Sequence, residues 1–267
     1  MRISTKFELG FSILLLIFTC AGCATVYNSA TGKKEYVFIS ANDEYVIGQR
    51  MAVQIERQFK PEEDPLVNAR VRAIGHAIAN VSDRKDVPYT FKVLKDKDVN
   101  AFTTPGGRVY LFTGLLEKAA SDAELASVIA HEIGHVAARH AAKKMELEMG
   151  YGLVTSLAFS SHPQPELERY INVGFNLINL GYSREDELFA DKLAVRYLVR
   201  AGYDPFGMIT LMEKLEKMSS QKGLVPIYIL STHPYMSQRI EAARKEIIAQ
   251  MAAEAARKAA QSRTNPQ

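Results

Sequence analysis

Apolar positions recur along most of this chain at helical spacing. Between Asp43 and Phe59, Val46, Met51, Val53 and Ile55 mark an amphipathic helix, punctuated by Pro61 and Pro65. Leu66, Val67, Val71, Ile74 and Ile78 mark a second helix from Pro65 to Val81. The period then changes to two. Tyr89 to Leu94 alternates and reads as a strand, and Asn100 to Phe112 reads as a hairpin turning at Pro105-Gly106-Gly107, with Val109 to Phe112 as its return strand. A short helix, Gly114 to Ala119, leads into the most apolar helical run of the chain. Further helices are predicted from Glu166 to Leu180, through Arg200 from a cap at Ser183, from Pro205 to Met218, and to about Ala252 after the stretch Ser231 to Arg239. The Ala-, Lys- and Arg-rich tail, 253–267, is expected to fray. No internal repeat is visible. The predicted class is α+β, predominantly α-helical, with a small sheet beside the central helix.

That central helix carries the chemistry. Ser121 with Glu124 predicts a capping box at its start. Leu125, Ala126, Ile129, Ile133, Val136 and Ala137 cover one side, and Val128, Ala138 and Ala142 accompany His131 and His135 on the other. A helix apolar nearly all round is buried. Two histidines and Glu132 inside it would be costly without partners, and a metal ion is one such partner. His131-Glu132-Ile133-Gly134-His135 is an H-E-x-x-H pattern, which sets two imidazoles one turn apart on one face. Glu132 is offset by roughly a third of a turn, where it can meet a water rather than the metal. Two nitrogen ligands, an open position and a carboxylate to take a proton are what a zinc peptidase needs.

The rest of the composition narrows the picture. A formal charge of +3 over 267 residues is nearly balanced and does not suggest a nucleic-acid surface. Cys20 and Cys23 are the only cysteines, so a metal in the body of the chain must be held by histidine and carboxylate. Residues 1–22 read as an export signal: Arg2 and Lys6 are basic, Phe11 to Phe18 is apolar, and small residues follow. Cys20-Ala21-Gly22-Cys23 resembles a bacterial lipoprotein box, with Cys23 the lipidated residue and Ala24 of the class destined for the outer membrane; Cys20 stands where leucine is usual. Residues 23–42 read as a tether, 43–252 as the folded domain. The apolar stretch Tyr151 to Phe159 is too short to span a bilayer. With the helix after it, it reads as a lid, an interfacial segment or plain core.

A catalytic zinc needs a third protein ligand. Glu187 and Asp191 lie one turn apart on the helix opened by a second capping box, Ser183 with Asp186, among apolar Leu188, Phe189 and Leu193. Glu187 is the expected third ligand. Asp191 is placed to hydrogen-bond a ligating histidine or to help move a proton. Glu185 and Asp186 are expected to face solvent, and His76 to be structural. Asn100-Ala101-Phe102-x-x-Pro-Gly-Gly, His131-Glu-x-x-His135, Ser183-Arg-x-x-Glu187-x-x-Ala-Asp191 and Thr232-His-Pro-x-x-x-x-Arg239 together resemble family 48 of the zinc metallopeptidases, HtpX-like and CAAX-prenyl-protease-like. The short periplasmic lipoprotein members are the most similar.

The resemblance implies a zincin-type (gluzincin) domain binding one zinc ion through His131, His135 and Glu187, with Glu132 as general base and acid. It places His233 and Arg239 near the site, His233 as an oxyanion stabiliser. It implies an endopeptidase acting on misfolded or unassembled envelope proteins, anchored to a membrane on the periplasmic side, with outer-membrane assembly machinery as a partner. Extended peptide would add antiparallel to the strand at Asn100, Ala101 and Phe102. Membrane-embedded relatives carry several transmembrane helices and chaperone-like ones a C-terminal helical-repeat domain; neither is seen in this sequence. The alternatives are an assembly chaperone with minor proteolytic activity and a structural lipoprotein, and the second needs neither Glu132 nor Glu187.

Overall fold

The computed structural model of the chain describes residues 24–148, 181–220 and 228–264. The export signal with Cys20 and Cys23, the apolar stretch at 151–159, the helix expected over 166–180 and the last three residues lie outside them.

The described chain opens with a hairpin, not the irregular tether expected over 23–42. β1 (Ala24–Asn28) pairs antiparallel with β2 (Lys33–Val37), Thr25 opposite Tyr36 and Tyr27 opposite Lys34. The small polar residues supply its turn: Asn28 Oδ1 accepts from the Ala30 N–H at 2.9 Å, and Gly32 takes φ +68°. Val26, Tyr27, Tyr36 and Val37 supply strand-forming side chains around it. Val37 and Ile39 are buried, which seats the hairpin on the domain.

Ser40 starts α1 (Ala41–Gln58) two residues earlier than predicted. Its side chain accepts from the Asp43 N–H while the Asp43 carboxylate accepts from the Ser40 N–H. α2 (Pro65–Ala79) is capped by Asp64 and stops two residues short of the predicted end. The sheet between them has the order β3-β5-β4, from β3 (Thr90–Leu94), β4 (Ala101–Thr104) and β5 (Arg108–Phe112). β4 and β5 form the predicted antiparallel hairpin, turning through Gly106 and Gly107 at positive φ, and β3 joins parallel to β5. Alternation decides what each face buries. Phe91, Val93, Ala101, Val109 and Leu111 join the main core with α2, while Leu94, Phe102, Tyr110 and Phe112 pack with Ile47, Met51 and Ile55 of α1.

α3 (Thr113–Lys118) leads into α4 (Asp122–Ala138), whose residues from Glu124 onward are all buried. Ser121 accepts from the Glu124 N–H as predicted, but the box is not reciprocal. The Glu124 carboxylate accepts instead from the Ala120 N–H at 2.7 Å and pairs with Lys214 Nζ at 2.7 Å. Nor does the helix run on to Ala142 unbroken. Arg139 adopts φ 60°, ψ 32°, and the chain is helical again over 140–148. A non-glycine residue there costs about 1–2 kcal/mol. A buried ionic cluster holds it: Glu44 accepts from Arg139 Nε at 2.8 Å and from both terminal nitrogens of Arg84 at 2.9 Å, and Arg139 also donates to the Ile39 carbonyl.

α5 (Arg184–Ala201) has its predicted capping box at Ser183 and Asp186 and ends at Gly202, φ 80°. It lies along α4, and α6 (Phe206–Ser220), α7 (Tyr228–Thr232) and α8 (Met236–Thr264) complete the described helices. α8 continues helically through residues expected to fray. Beyond Ile247 most of its described side chains are exposed, and Glu254 meets Arg257 at 2.8 Å and Lys258 at 3.7 Å one turn on. Among the described residues no helix is long and apolar enough to cross a membrane.

Gly134 sets how closely α4 and α5 approach. A Cβ there would stand 2.8 Å from the Ala190 carbonyl oxygen and 3.2 Å from its Cα. Gly134→Ala gains about 1 kcal/mol of helix propensity. Overpacking typically costs about 1–3 kcal/mol and prevails because the obstacle is backbone. We expect a lower Tm by calorimetry; an unchanged or raised Tm would show that the helices separate freely.

Candidate metal centre

Helical periodicity brings the first half of the site together. His131 and His135 lie on one face of α4, their Nε2 atoms 3.0 Å apart. α5 brings Glu187, whose Oε2 is 3.5 Å from His131 Nε2 and whose Oε1 is 3.4 Å from His135 Nε2. The loop between α7 and α8 brings His233, with Nδ1 3.2 Å from His131 Nε2 and 2.9 Å from Glu187 Oε1. One ligand atom from each of these four buried residues lies within 4.8 Å of the others. Three imidazole nitrogens and a carboxylate oxygen are a donor set suited to a divalent transition metal.

Glu132 stands beside this set. It is 1% exposed, neither carboxylate oxygen has a hydrogen-bond partner among the described residues, and His233 Nε2 is 3.4 Å from Oε1. Burial pushes its pKa up, against the pull of His233 and His131. A buried carboxylate without partners is costly, so the site fits a metal ion and a water that Glu132 can meet.

The outer atoms of the histidines are also held. Asp191 Oδ1 accepts from His131 Nδ1 at 2.8 Å. Arg239 grips Asp191 with two bonds, Nε to Oδ2 at 2.7 Å and Nη2 to Oδ1 at 2.8 Å, and its Nη1 lies 2.7 Å from Glu187 Oε2. Burial opposes ionisation of Glu187 and Asp191; His233 and Arg239 overcome it at Glu187, Arg239 and His131 at Asp191, so both pKa values are lowered. Burial and Arg239 press His131 down, yet Asp191 and Glu187 hold its protonated form up to about 9, while burial takes His135 down to about 3. His135 Nδ1 contacts His140 Nδ1 at 2.8 Å, and the Tyr182 ring stacks on His135 at 4.0 Å.

The structure thus gathers His131, Glu132, His135, Glu187 and Asp191, together with His233 and Arg239. His233 lies within the ligand cluster itself. Asn100, Ala101 and Phe102 stand otherwise. All three are buried, and Phe102 stacks on Tyr110 at 5.2 Å within the core, so β4 offers a peptide only its main chain at the sheet edge. Asp186 is only partly solvent-facing, its Oδ1 lying 3.4 Å from His140 Nε2. His76 is exposed against Phe91 and takes no part in the cluster. His140 and Tyr182 were not anticipated. Five residues beyond His135, His140 faces away on an unbroken helix, and no glycine signals the bend at Arg139.

An apolar cavity of about 40 Å³ adjoins Glu132 and His233, with Val128, Met208, Leu211 and Met212 among its lining.

A family model described as peptidase family M48 matches residues 65–247. The β-barrel assembly-enhancing protease of Escherichia coli (strain K12) is 28% identical over 215 residues, 77% of this chain and 44% of that protein. The mitochondrial metalloendopeptidase OMA1 of Arabidopsis thaliana is 36% identical over 163 residues, 61% of this chain and 32% of that protein. OMA1 of Saccharomyces cerevisiae (strain ATCC 204508 / S288c) is 27% identical over 251 residues, 85% and 72% respectively. The chain spans less than half the length of the assembly-enhancing protease.

Proposed function

Since the chain belongs to peptidase family M48, whose members are metal-dependent and zincin-like in fold, we propose that it is a zinc-dependent endopeptidase of the bacterial cell envelope. One observation carries this reading: a buried carboxylate without hydrogen-bond partners, Glu132, beside the converging His131, His135 and Glu187. The proposed ligands are these last three, one zinc ion per chain, with His233 within reach as a fourth. Zinc held there would supply Lewis acidity for acidifying a water and polarising the scissile carbonyl.

The chain's own residues do the rest. Glu132 takes the proton from the attacking water and passes it to the leaving amine. Asp191 holds His131 by its outer nitrogen, and Arg239 holds Asp191. Extended substrate pairs through main-chain groups at the β4 edge, which tolerates many sequences. The small apolar cavity beside Glu132 takes one apolar side chain. Misfolded or unassembled envelope proteins are the proposed substrates, in keeping with the assembly-enhancing name of the Escherichia coli relative. The direct test is degradation of casein by the purified chain. Activity should vanish with a chelator and return with added zinc; chelator-insensitive cleavage would sink the reading.

Cys23 is the proposed site of the lipid that anchors the chain to the outer membrane. Cys23→Ser should abolish lipid labelling and move the protein out of the membrane fraction. Labelling that survives there and disappears with Cys20→Ser would reassign the anchor.

A further inference from the structure

We propose that His140 is a positioning residue for His135, accepting a hydrogen bond that fixes which nitrogen His135 turns toward the metal. The inference rests on the zinc-peptidase reading. His135 Nε2 faces the cluster, 3.0 Å from His131 Nε2, while its outer Nδ1 lies 2.8 Å from His140 Nδ1. Two ring nitrogens at that distance share one hydrogen, so one ring must present a bare nitrogen. The far side of His140 decides which. Its Nε2 lies 3.4 Å from Asp186 Oδ1, longer than a hydrogen bond, and the carboxylate's negative charge favours the tautomer with N–H on that side. Neutral His140 then has a bare Nδ1, His135 donates from Nδ1, and His135 Nε2 keeps the lone pair that ligation requires. Asp191 does the same for His131.

The fold builds this contact at a cost. On a continuous helix, residues five apart point roughly 140° away from each other. The left-handed turn at Arg139 swings His140 back onto His135, and Glu44 and the Ile39 carbonyl pin the Arg139 side chain. Asp186 meanwhile caps α5, the helix that carries Glu187. His140 therefore touches both helices of the metal site.

The test uses the full chain and zinc(II), in competition with chelators of graded strength. His140→Leu removes the acceptor and should weaken zinc binding 10–100-fold, the range typical for outer-sphere partners. His140→Asn sets an amide oxygen close to the place of Nδ1 and should restore most of the loss. Equal loss in both variants assigns His140 to packing alone and overturns the proposal, as does parental affinity in His140→Leu. Nitrogen-15 NMR of the histidine-labelled parent reads the same point without a variant. A protonated His135 Nδ1 facing a bare His140 Nδ1 is expected, and the reverse tautomers overturn the proposal. A parent chain that binds no zinc would sink the peptidase reading itself.

Discussion

Glu132→Gln should keep its metal and its Tm while losing proteolysis by about 10²–10⁴-fold, the usual contribution of a general acid–base group. At about 1.36 kcal/mol per tenfold, that is roughly 2.7–5.4 kcal/mol of transition-state stabilisation. The substitution preserves size and shape and removes only the basic carboxylate. No hydrogen bond to Glu132 from the described residues is lost by it. Zinc content should be unchanged, because Glu132 stands outside the cluster of His131, His135, Glu187 and His233. The measurement is kcat/KM on an unfolded protein substrate beside metal analysis of the same preparation. Cleavage near the parental rate would remove Glu132 from the mechanism. The same variant separates peptidase from chaperone: an assembly function that needs no proteolysis would survive it in cells.

Glu187→Ala is expected to lose stoichiometric metal, with an affinity loss exceeding the 10–100-fold typical of outer partners. Electrostatics as well as ligand count drives the effect. Arg239 Nη1 lies 2.7 Å from Glu187 Oε2, so deleting that carboxylate leaves a guanidinium close to three imidazoles and disfavours a cation there. Asp191 would still hold Arg239, which should let the protein fold. Dialysis followed by metal analysis reads the result directly. Glu187→Gln adds a control, keeping the shape and removing the charge. Full metal retention in Glu187→Ala would exclude Glu187 as a ligand.

What the sequence by itself determined is what depends on residues within about one helical turn of each other. His131, Glu132 and His135 share a helix, so the 3.6-residue period alone sets two imidazoles on one face and the carboxylate off it. Glu187 and Asp191 are legible for the same reason, as are the cap at Ser183 and the hairpin turn at Gly106 and Gly107. Tertiary structure decided what depends on closing long loops. The ring of His233 sits 102 residues from His131 and reaches its Nε2 only through the packing of α7 and α8. The parallel pairing of β3 with β5 leaves no mark in the alternation of either strand. The N-terminal hairpin was hidden because its strands have five residues each and its turn residues read equally as a tether. The bend at Arg139 lay furthest from reach. A left-handed arginine is disfavoured locally and persists because Glu44, 95 residues away, supplies a buried carboxylate that the local sequence does not contain.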